Sequence, residues 1–219
     1  LSIVYTGTTR GGAAGQSWDV PLWYLRRSVS DWHRKPEATP DGSNRYVERI
    51  FVATGGEMQL MVKKGGVYVP FMGSEYQELR AEGDVWRLRT LSNLEYTFTP
   101  LAWLEGHVGH GFEKDLWILT EIRDGTGTDR VTLTYDTNGA DRELTLSRIA
   151  YGYHLKDQKK PLYEIELAYD RVGAFDQVHD HDLEFTRFRR LSAVRVHARN
   201  NLDAEADASA DDPRADAVL

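Results

Sequence analysis

Two pairs of histidines are spaced in a way that could suit a metal ion. His107 and His110 lie among glycines, whereas His179 and His181 alternate with aspartates. Imidazole and carboxylate groups together can hold zinc or another divalent cation. A zinc site needs three or four converging ligands on rigid supports, and glycine beside a histidine favours a flexible backbone. We therefore predict polar loops at hairpin ends and no metal or other cofactor, with metal binding by either pair left as the alternative.

Paired carboxylates are the second group that could do chemistry. Glu164 and Glu166 share one face of a predicted strand, and Glu121 and Asp124 flank a predicted turn. Glycosidases need two carboxyl groups about 5–10 Å apart across a cleft, and spacing along the chain places neither pair at that separation. Charged residues on the solvent side of amphipathic strands explain both pairs equally well.

Nucleophile and phosphate motifs are incomplete. Ser17 follows Gly15 but lacks the closing glycine of a Gly-x-Ser-x-Gly elbow, and the glycines at 7–12 lack the Gly-Lys-Ser/Thr ending of a phosphate loop. The chain has no cysteine, which excludes disulfides and thiolate zinc sites. We therefore predict that this chain has no catalytic residue and is not an enzyme.

Aromatic and basic side chains could form binding surfaces. Trp103, Trp117 and Tyr153 are candidates for a sugar-binding platform, although buried cross-strand aromatic pairs, worth about 0.2–1 kcal/mol each, are the commoner use. The basic stretches 156–160 and 189–190 are too small for a nucleic-acid footprint. The formal net charge of -7 also gives no electrostatic reason to expect a nucleic acid or an anionic membrane as partner.

Period-two alternation of apolar and polar residues organises the chain. Successive side chains of a strand point to opposite faces, so this alternation predicts half-buried β-structure. It is clearest at 86–89, 94–98, 131–135 and 165–169. Glycine-containing turn signals lie between such segments, at 55–56, 64–66, 124–125 and 138–139. Short strands separated by such turns favour hairpins and an antiparallel sheet.

The distribution of polar and charged residues along the sequence predicts one β domain and a tail. Residues 26–45 are polar and contain two prolines, which predicts a long loop, while residues 74–82 fit either a short helix or a strand. From Asp203 onward there are six acidic residues and one arginine, so this tail carries -5 of the total -7 and residues 1–202 carry -2. We predict a β domain over 1–202 and a disordered acidic linker over 203–219. Because the chain opens on a strand-like pattern without Met, we expect it to be a segment of a longer protein.

A weak internal repeat links the strands. The pattern Leu-x-Tyr-Asp at 133–136 recurs 34 residues later at 167–170. Leu-x-x-Ile/Val segments that open strand-like stretches begin at Leu119, Leu146 and Leu191. Stacked units of strand, turn and strand predict a sheet that grows by accretion rather than a closed sandwich.

Short aromatic and glycine motifs along residues 1–197 resemble the N-terminal region of the SpvB-type toxins. That family includes the B components of Tc toxins and is related to the Rhs (YD-repeat) proteins. The matching motifs lie, in order, at 2–5, 15–18, 25–26, 56–57, 86–88, 96–98, 117–124, 146–152, 166–171 and 189–196. No motif is specific alone, so their colinear order carries the resemblance. Departures fall in turns, at 124–130 and at Ser92-Asn93 where the family has glycine.

The resemblance implies a non-catalytic scaffold segment of a large bacterial toxin. In Tc and Rhs proteins such strands wind into a hollow β-shell around a toxic C-terminal polypeptide, and any enzymatic toxin domain lies elsewhere. We thus expect a curved, mostly antiparallel sheet of about ten strands, forming part of such a shell. The implied partners are further Rhs/YD-repeat segments of the same polypeptide, other toxin-complex subunits and the encapsulated toxin, with no nucleic acid and no membrane insertion. The implied location is extracellular, after secretion of a toxin that could be assembled in the cytoplasm.

Nine apolar or aromatic residues are predicted to pack the core and wall of this sheet. They are Trp18, Trp86, Trp117, Leu133, Tyr135, Ile149, Leu167, Tyr169 and Leu191. The main alternative function is a self-contained carbohydrate-binding β-sandwich module of a secreted protein. A secreted hydrolase with an unrecognised site is a third possibility.

Overall fold

The computed structural model describes residues 4–5, 11–12, 14–16, 18–29, 48–54, 57–72, 76–103, 115–138, 143–153, 160–180, 183–199 and 216–218. Nearly all of these residues lie in strands, and the paired strands run antiparallel. The prediction of an all-β, antiparallel fold is confirmed. Within these ranges we find no helix that could cross a membrane.

The strands are numbered in chain order. They are β1 (Val4–Tyr5), β2 (Gly11–Gly12), β3 (Gly15–Gln16), β4 (Trp18–Asp19), β5 (Tyr24–Val29), β6 (Glu48–Thr54), β7 (Glu57–Lys64), β8 (Val67–Pro70), β9 (Gln77–Glu82), β10 (Val85–Thr90), β11 (Leu94–Pro100), β12 (Leu116–Asp124), β13 (Arg130–Asn138), β14 (Glu143–Tyr153), β15 (Pro161–Asp180), β16 (Leu183–Arg199) and β17 (Asp216–Val218). A single 3₁₀ turn, Leu101–Trp103, follows β11 in this part of the chain.

Two sheets contain these strands. A small N-terminal sheet has the order β1-β4-β3-β2. The large sheet has the order β11-β10-β9-β8-β7-β6-β5-β12-β13-β14-β15-β16-β17. An additional pairing between β11 and β12 closes the strands β5 to β12 into a ring, which we call the closed ring. The strands β13 to β16 continue outward from the ring, and we call them the extended sheet.

The interior of the closed ring is filled by side chains. Cross-strand neighbours such as Leu79 and Leu88 come from alternating positions of adjacent strands, so they point to the same side of the wall. Leu25, Ile50 and Phe98 are each 0% exposed there. A ring of about eight strands is just wide enough for side chains to fill, so its apolar residues form a packed core.

Strand β12 belongs to both the ring and the extended sheet. Its start pairs with β5, from Leu116 to Ile118, and its end pairs with β13, from Glu121 to Arg123. Between them lies Leu119, whose N–H donates to the Trp23 carbonyl at 3.0 Å. We call this point the fork, because here the sheet divides into β5 on one branch and β13 on the other.

The extended sheet ends in a long, bent hairpin. In β15 the register with β16 shifts after Ala168 and again between Arg171 and Asp176, where Gly173 has a φ of 86°. Such irregularities bend a strand away from a flat ladder. The hairpin of residues 172–180 and 183–190, which includes this second irregularity, projects past the end of the ladder between β14 and β15. We call this part the arm.

Three local predictions are decided by these strands. The loop predicted over 26–45 is wrong at its start, because β5 continues to Val29 and pairs with β6; residues 30–47 lie outside the described residues. Segment 74–82 contains strand β9 rather than a helix. Accretion describes the extended sheet, whereas β5 to β12 close on themselves. The linker predicted over 203–219 stays a prediction, since only 216–218 are described there, as strand β17 paired with β16.

Candidate functional site

The outer face of β14 is buried at Glu143 and Thr145, near the arm, while Asp136 on β13 stays exposed. Leu144 and Leu146 point toward the core, so Glu143 and Thr145 alternate to the opposite face, where solvent would be expected. Both are only 5% exposed. Asp136 on β13 lies directly across from Thr145. The Thr145 hydroxyl has no hydrogen-bond partner among the described residues.

Two residues of β16 fasten the arm to this face. The Arg189 guanidinium donates to the Asp136 carboxylate at 2.7 Å and lies 3.9 Å from Glu143. The Phe188 backbone N–H donates to the Glu143 carboxylate at 3.2 Å. Arg189 itself is 8% exposed. Because a buried charge is costly unless it is paired and hydrogen-bonded, these contacts make the position of the arm specific.

A second ion pair fastens the arm to the N-terminal sheet. Both terminal nitrogens of Arg187 donate to the two carboxylate oxygens of Asp19, at 2.9 and 2.7 Å. Their side chains are only 16% and 17% exposed. A two-point arginine–carboxylate contact of this kind fixes orientation as well as distance. The arm thus contacts both the N-terminal sheet and β13–β14.

Burial also changes the acid–base properties of this polar cluster. Desolvation raises the pKa of Glu143 above its ordinary value, although backbone donors and Arg189 act against it. Burial raises the pKa of Tyr169, and the negative charges of Asp19 and Glu143 raise it further. The cluster therefore combines three carboxylates and two guanidiniums on four strands, which suits it to joining layers.

The Tyr-Asp signature of the internal repeat has a structural explanation. Tyr135 points into the core and its hydroxyl donates to the Leu119 carbonyl at the fork, while Asp136 on the other face accepts from Arg189. In the second copy, Tyr169 packs against the core and Asp170 lies opposite Arg190 in the ladder. In both copies the tyrosine turns toward the apolar side, and the aspartate lies in reach of an arginine of β16.

The residues predicted to pack the core and wall lie in two settings. Five are buried in the core: Trp86, Trp117, Leu133, Tyr135 and Leu167. Ile149, Tyr169 and Leu191 are partly buried and pack against that core. Trp18 pairs through its backbone with Tyr5 and Gly15, and its side chain lies outside what the structure describes. Their role in the wall of a larger shell stays a prediction.

The carboxylate pairs considered for catalysis are engaged in local contacts. Glu164 lies 3.5 Å from Arg148, and Glu166 lies 3.2 Å from Arg195. Glu121 lies 2.6 Å from Arg123 on the same strand.

Asp124 organises the turn after β12. It accepts from the Thr126 hydroxyl and from the Asp129 N–H, which lowers the pKa of its carboxyl to about 2. Glu121, Glu164 and Glu166 therefore form ion pairs, and Asp124 stabilises a turn.

The other sequence candidates are separated or lie outside the description. Trp117 is buried and donates its indole N–H to the Asp84 carbonyl, Tyr153 is covered by Arg130 at 4.0 Å, and Trp103 is exposed. These three aromatics therefore form no common sugar-binding platform. The part of the chain that the structure describes contains no group of residues able to hold a metal ion. Ser17, His107, His110, the His179 side chain and His181 lie outside it.

The polar cluster was not recognisable from the sequence as a site. Alternation assigns Glu143 and Asp136 to a solvent face, and Arg189 belonged to a small basic pair and to one of the short motifs of the family resemblance. Asp19 and Arg187 are 168 residues apart along the chain, so no local signal could join them. The one usable signal was the Tyr-Asp repeat, because an aspartate repeated beside a core tyrosine needs a partner on the opposite face.

Comparison with known proteins was made by sequence and by fold. No protein-family model matches the chain, and no curated protein matches it by sequence. The fold is similar to the N-terminal domain of the effector protein SpvB from Salmonella typhimurium strain LT2, with a TM-score of 0.62 and 14% identity over 98% of this chain and 85% of that domain. It is also similar to TcdB2-TccC3 without its hypervariable C-terminal region, with a TM-score of 0.57 and 12% identity.

The coverage of these two structures differs greatly. The match to TcdB2-TccC3 includes 95% of this chain but only 12% of that much longer one. The match to the SpvB domain includes most of both chains. The resemblance to the SpvB and Tc region is thus confirmed as a similarity of fold.

Proposed function

We propose that this chain is a non-catalytic scaffold segment of a large bacterial toxin of the SpvB, Tc and Rhs kind. The observation that carries the proposal is the fold similarity over 98% of the chain to the SpvB N-terminal domain. The carboxylates considered for catalysis favour the same function, because Glu121, Glu164 and Glu166 are held in ion pairs and Asp124 organises a turn. The role is to build a wall, and its mechanism is physical rather than chemical.

The closed ring supplies the rigid part of this wall. Its apolar side chains form most of the buried core, which also includes Leu133, Tyr135, Leu146 and Leu167 of the extended sheet. The extended sheet supplies the part that can be continued. Its apolar face becomes more exposed toward β16, with Tyr163 at 42% and Val194 at 49%. Partly exposed apolar residues on an outlying strand are suited to contact with more protein.

The proposed partners follow from this geometry. Further Rhs/YD-repeat segments of the same polypeptide would continue the sheet along the part of β16 that precedes its short pairing with β17, and other toxin-complex subunits would pack on the assembled wall. The assembled shell would enclose a toxic C-terminal polypeptide and would act outside the producing cell after secretion. We expect no nucleic acid among the partners and no membrane insertion by this segment.

The test is the assembly state of the chain when it is expressed alone. We expect self-association or poor solubility, measured by size-exclusion chromatography with light scattering, because the extended sheet lacks its continuation. Val194→Lys places a charge on the exposed apolar position of β16 and should restore a monomer. Thr134→Lys, at an exposed position on an internal strand, is the matched control and should change nothing. A stable, monodisperse wild-type monomer would count against the proposal, and specific retention on a glycan array would favour the carbohydrate-binding module instead.

A further inference from the structure

The outer face of the closed ring is charged on the side formed by β10 and β11. Trp86 and Leu88 are buried in the core, so Arg87 and Arg89 alternate to the outside of β10. Their guanidiniums lie 2.6 and 3.3 Å from the carboxylate of Glu95 on β11. Paired charges of this kind suit a face that is in contact with water.

The outer face of the ring is apolar on the side formed by β7 and β8. Met61 and Tyr68 are buried in the core, so their neighbours along each strand point outward. Among these neighbours, Val62 and Val69 lie opposite each other across the ladder. The sequence is accordingly apolar without interruption at 67–72. Such runs are typical of strands that are covered on both faces, whereas alternation is typical of strands with one face in water.

Four large, exposed apolar side chains continue this face to one end of the ring. They are Phe71, Met72, Tyr76 and Leu91, with exposed fractions of 58%, 76%, 52% and 77%. The register of β8 with β9, when continued to the ends of these strands, places Phe71 beside Tyr76. The register of β9 with β10 places Tyr76 beside Leu91. We call these four residues the apolar rim.

We propose that the apolar rim, together with the outer face of β7–β8, is the docking surface for another segment of the same polypeptide. This inference rests on the proposed function, because it requires a polypeptide longer than this chain. At β16 a further strand would extend the edge of the sheet, whereas here the partner would pack on the face of the ring as a second layer. Its contacting side chains would be apolar and uncharged, to match the rim.

The size of the apolar rim favours a covalently connected partner over a separate one. At about 200 Å² for each large side chain, the rim exposes roughly 500 Å². A stable interface between separate proteins buries about 800 Å² on each partner, which is more than the rim offers. A segment of the same polypeptide is already held near the surface, so a smaller contact is sufficient. In the similar TcdB2-TccC3 chain the matching region is only 12% of the whole, so a polypeptide containing this fold can carry many further segments.

Cysteine labelling tests the docking surface, because the 219-residue chain has no cysteine of its own. Leu91→Cys places a thiol on the apolar rim, and Val194→Cys places one on β16. Lys64→Cys, at an exposed position at the far end of β7, is the control. Each variant is made in the 219-residue chain and in the full-length polypeptide, and is labelled with N-ethylmaleimide. Mass spectrometry of the peptide that contains the introduced cysteine measures the labelling rate.

We expect Leu91→Cys to react at least about tenfold more slowly in the full-length polypeptide than in the 219-residue chain, as a covered site does. Lys64→Cys should react equally in both. Adding Phe71→Lys to the full-length polypeptide should restore the labelling of Leu91→Cys, because an unpaired charge in an apolar contact is costly. Adding Lys64→Glu instead should leave the protection unchanged. Failure of Phe71→Lys to restore labelling would refute the apolar rim as the contact.

The three positions also separate this inference from the proposed function. Protection of Val194→Cys without protection of Leu91→Cys would overturn docking on the rim and support continuation of the sheet at β16. Protection of neither position, or a gene that encodes no further segment, would refute both proposals. Equal protection of Lys64→Cys would mean that the whole ring is enclosed, with no specific role for the rim. Protection of Leu91→Cys that increases with the concentration of the 219-residue chain would identify a second copy as the partner and would also overturn the inference.

Discussion

The closed ring and the extended sheet differ in how they bury the apolar faces of their strands. In the ring, closure places one face of the strands β5 to β12 inside, and Leu25, Leu79 and Phe98 there are fully buried. In the extended sheet the apolar face grows more exposed toward β16, where Val194 is 49% exposed. Its opposite face is covered in part by the arm, through charged contacts rather than apolar packing. The comparison shows that one continuous sheet can bury one half by closure and leave the outer strands of the other half partly exposed.

The largest expected effect comes from removing a large side chain from each region, which tests the difference in burial between them. Phe98→Ala should lower the free energy of unfolding by about 3–5 kcal/mol, because the enclosed cavity cannot collapse. Leu167→Ala, whose neighbour across the ladder is the exposed Val194, should cost about 2 kcal/mol, at the low end for such a change. Urea unfolding followed by tryptophan fluorescence measures both. Equal losses would mean that the extended sheet is as tightly packed as the ring.

The second test addresses the fork between the two halves. Tyr135→Phe keeps the aromatic side chain in the core but leaves the Leu119 carbonyl without the tyrosine hydroxyl as donor. We expect the free energy of unfolding to fall by about 1–2 kcal/mol with an unchanged denaturant slope. Tyr76→Phe removes an exposed hydroxyl that donates to Glu78 and should stay within about 0.5 kcal/mol of the wild type. A loss for Tyr135→Phe no larger than that of the control would show that the hydroxyl contributes nothing to the fork.

A third test compares a turn of the ring with the base of the arm. Asn93, at φ 59°, is the last residue of the turn between β10 and β11. Asn93→Ala should cost about 1 kcal/mol in global stability while Asn93→Gly costs little. Gly173→Ala imposes a similar strain at φ 86° but should be visible only in hydrogen exchange of the arm. If Gly173→Ala lowers global stability as much as Asn93→Ala does, the arm is part of the cooperative core.

The smallest expected effect distinguishes the two regions by the sign of their response to pH. Hydrogen bonds from Thr126 and Asp129 lower the pKa of Asp124 from 3.8 to about 2, so its contribution to folding is present at neutral pH and is lost as the pH falls between those values. Burial raises the pKa of Glu143, whose contribution therefore has the opposite sign. Carboxyl carbon shifts in an NMR titration measure both groups. If the Asp124 carboxyl titrates with its ordinary pKa, the expected difference in pH response between Asp124 and Glu143 is refuted.

The sequence predicted the strands better than it predicted how they close. Alternation at 86–89 and 131–135 identifies strands β10 and β13, because the period of two depends only on neighbouring residues. Closure depends on Leu94–Pro100 pairing with β12 and on β12 also reaching β5, about ninety residues earlier. No local pattern contains that information.

The polar cluster escaped prediction for a related reason. The alternation that correctly turns Leu144 and Leu146 inward turns Glu143 outward, and a single strand cannot show that a distant arm will cover it. The prediction of a mostly accreting sheet also overlooked the bulges in β15, which depend on register with β16. The alternation within a strand predicted which face each side chain occupies. Whether that face is exposed or buried depended on residues far away in the sequence.

The fork also determines how the molecule would carry mechanical load. The backbone ladder that joins the extended sheet to β12 runs from Glu121 to Arg123 with Thr132 to Arg130, and it is shorter than the ladder from Val131 to Asn138 that β13 shares with β14. Tension applied through β16 would concentrate on that short junction, while the ring distributes strain around its circumference. Under such tension we expect the strands to separate first at the fork. The hydrogen bond from the Tyr135 hydroxyl to the Leu119 carbonyl would reinforce this junction.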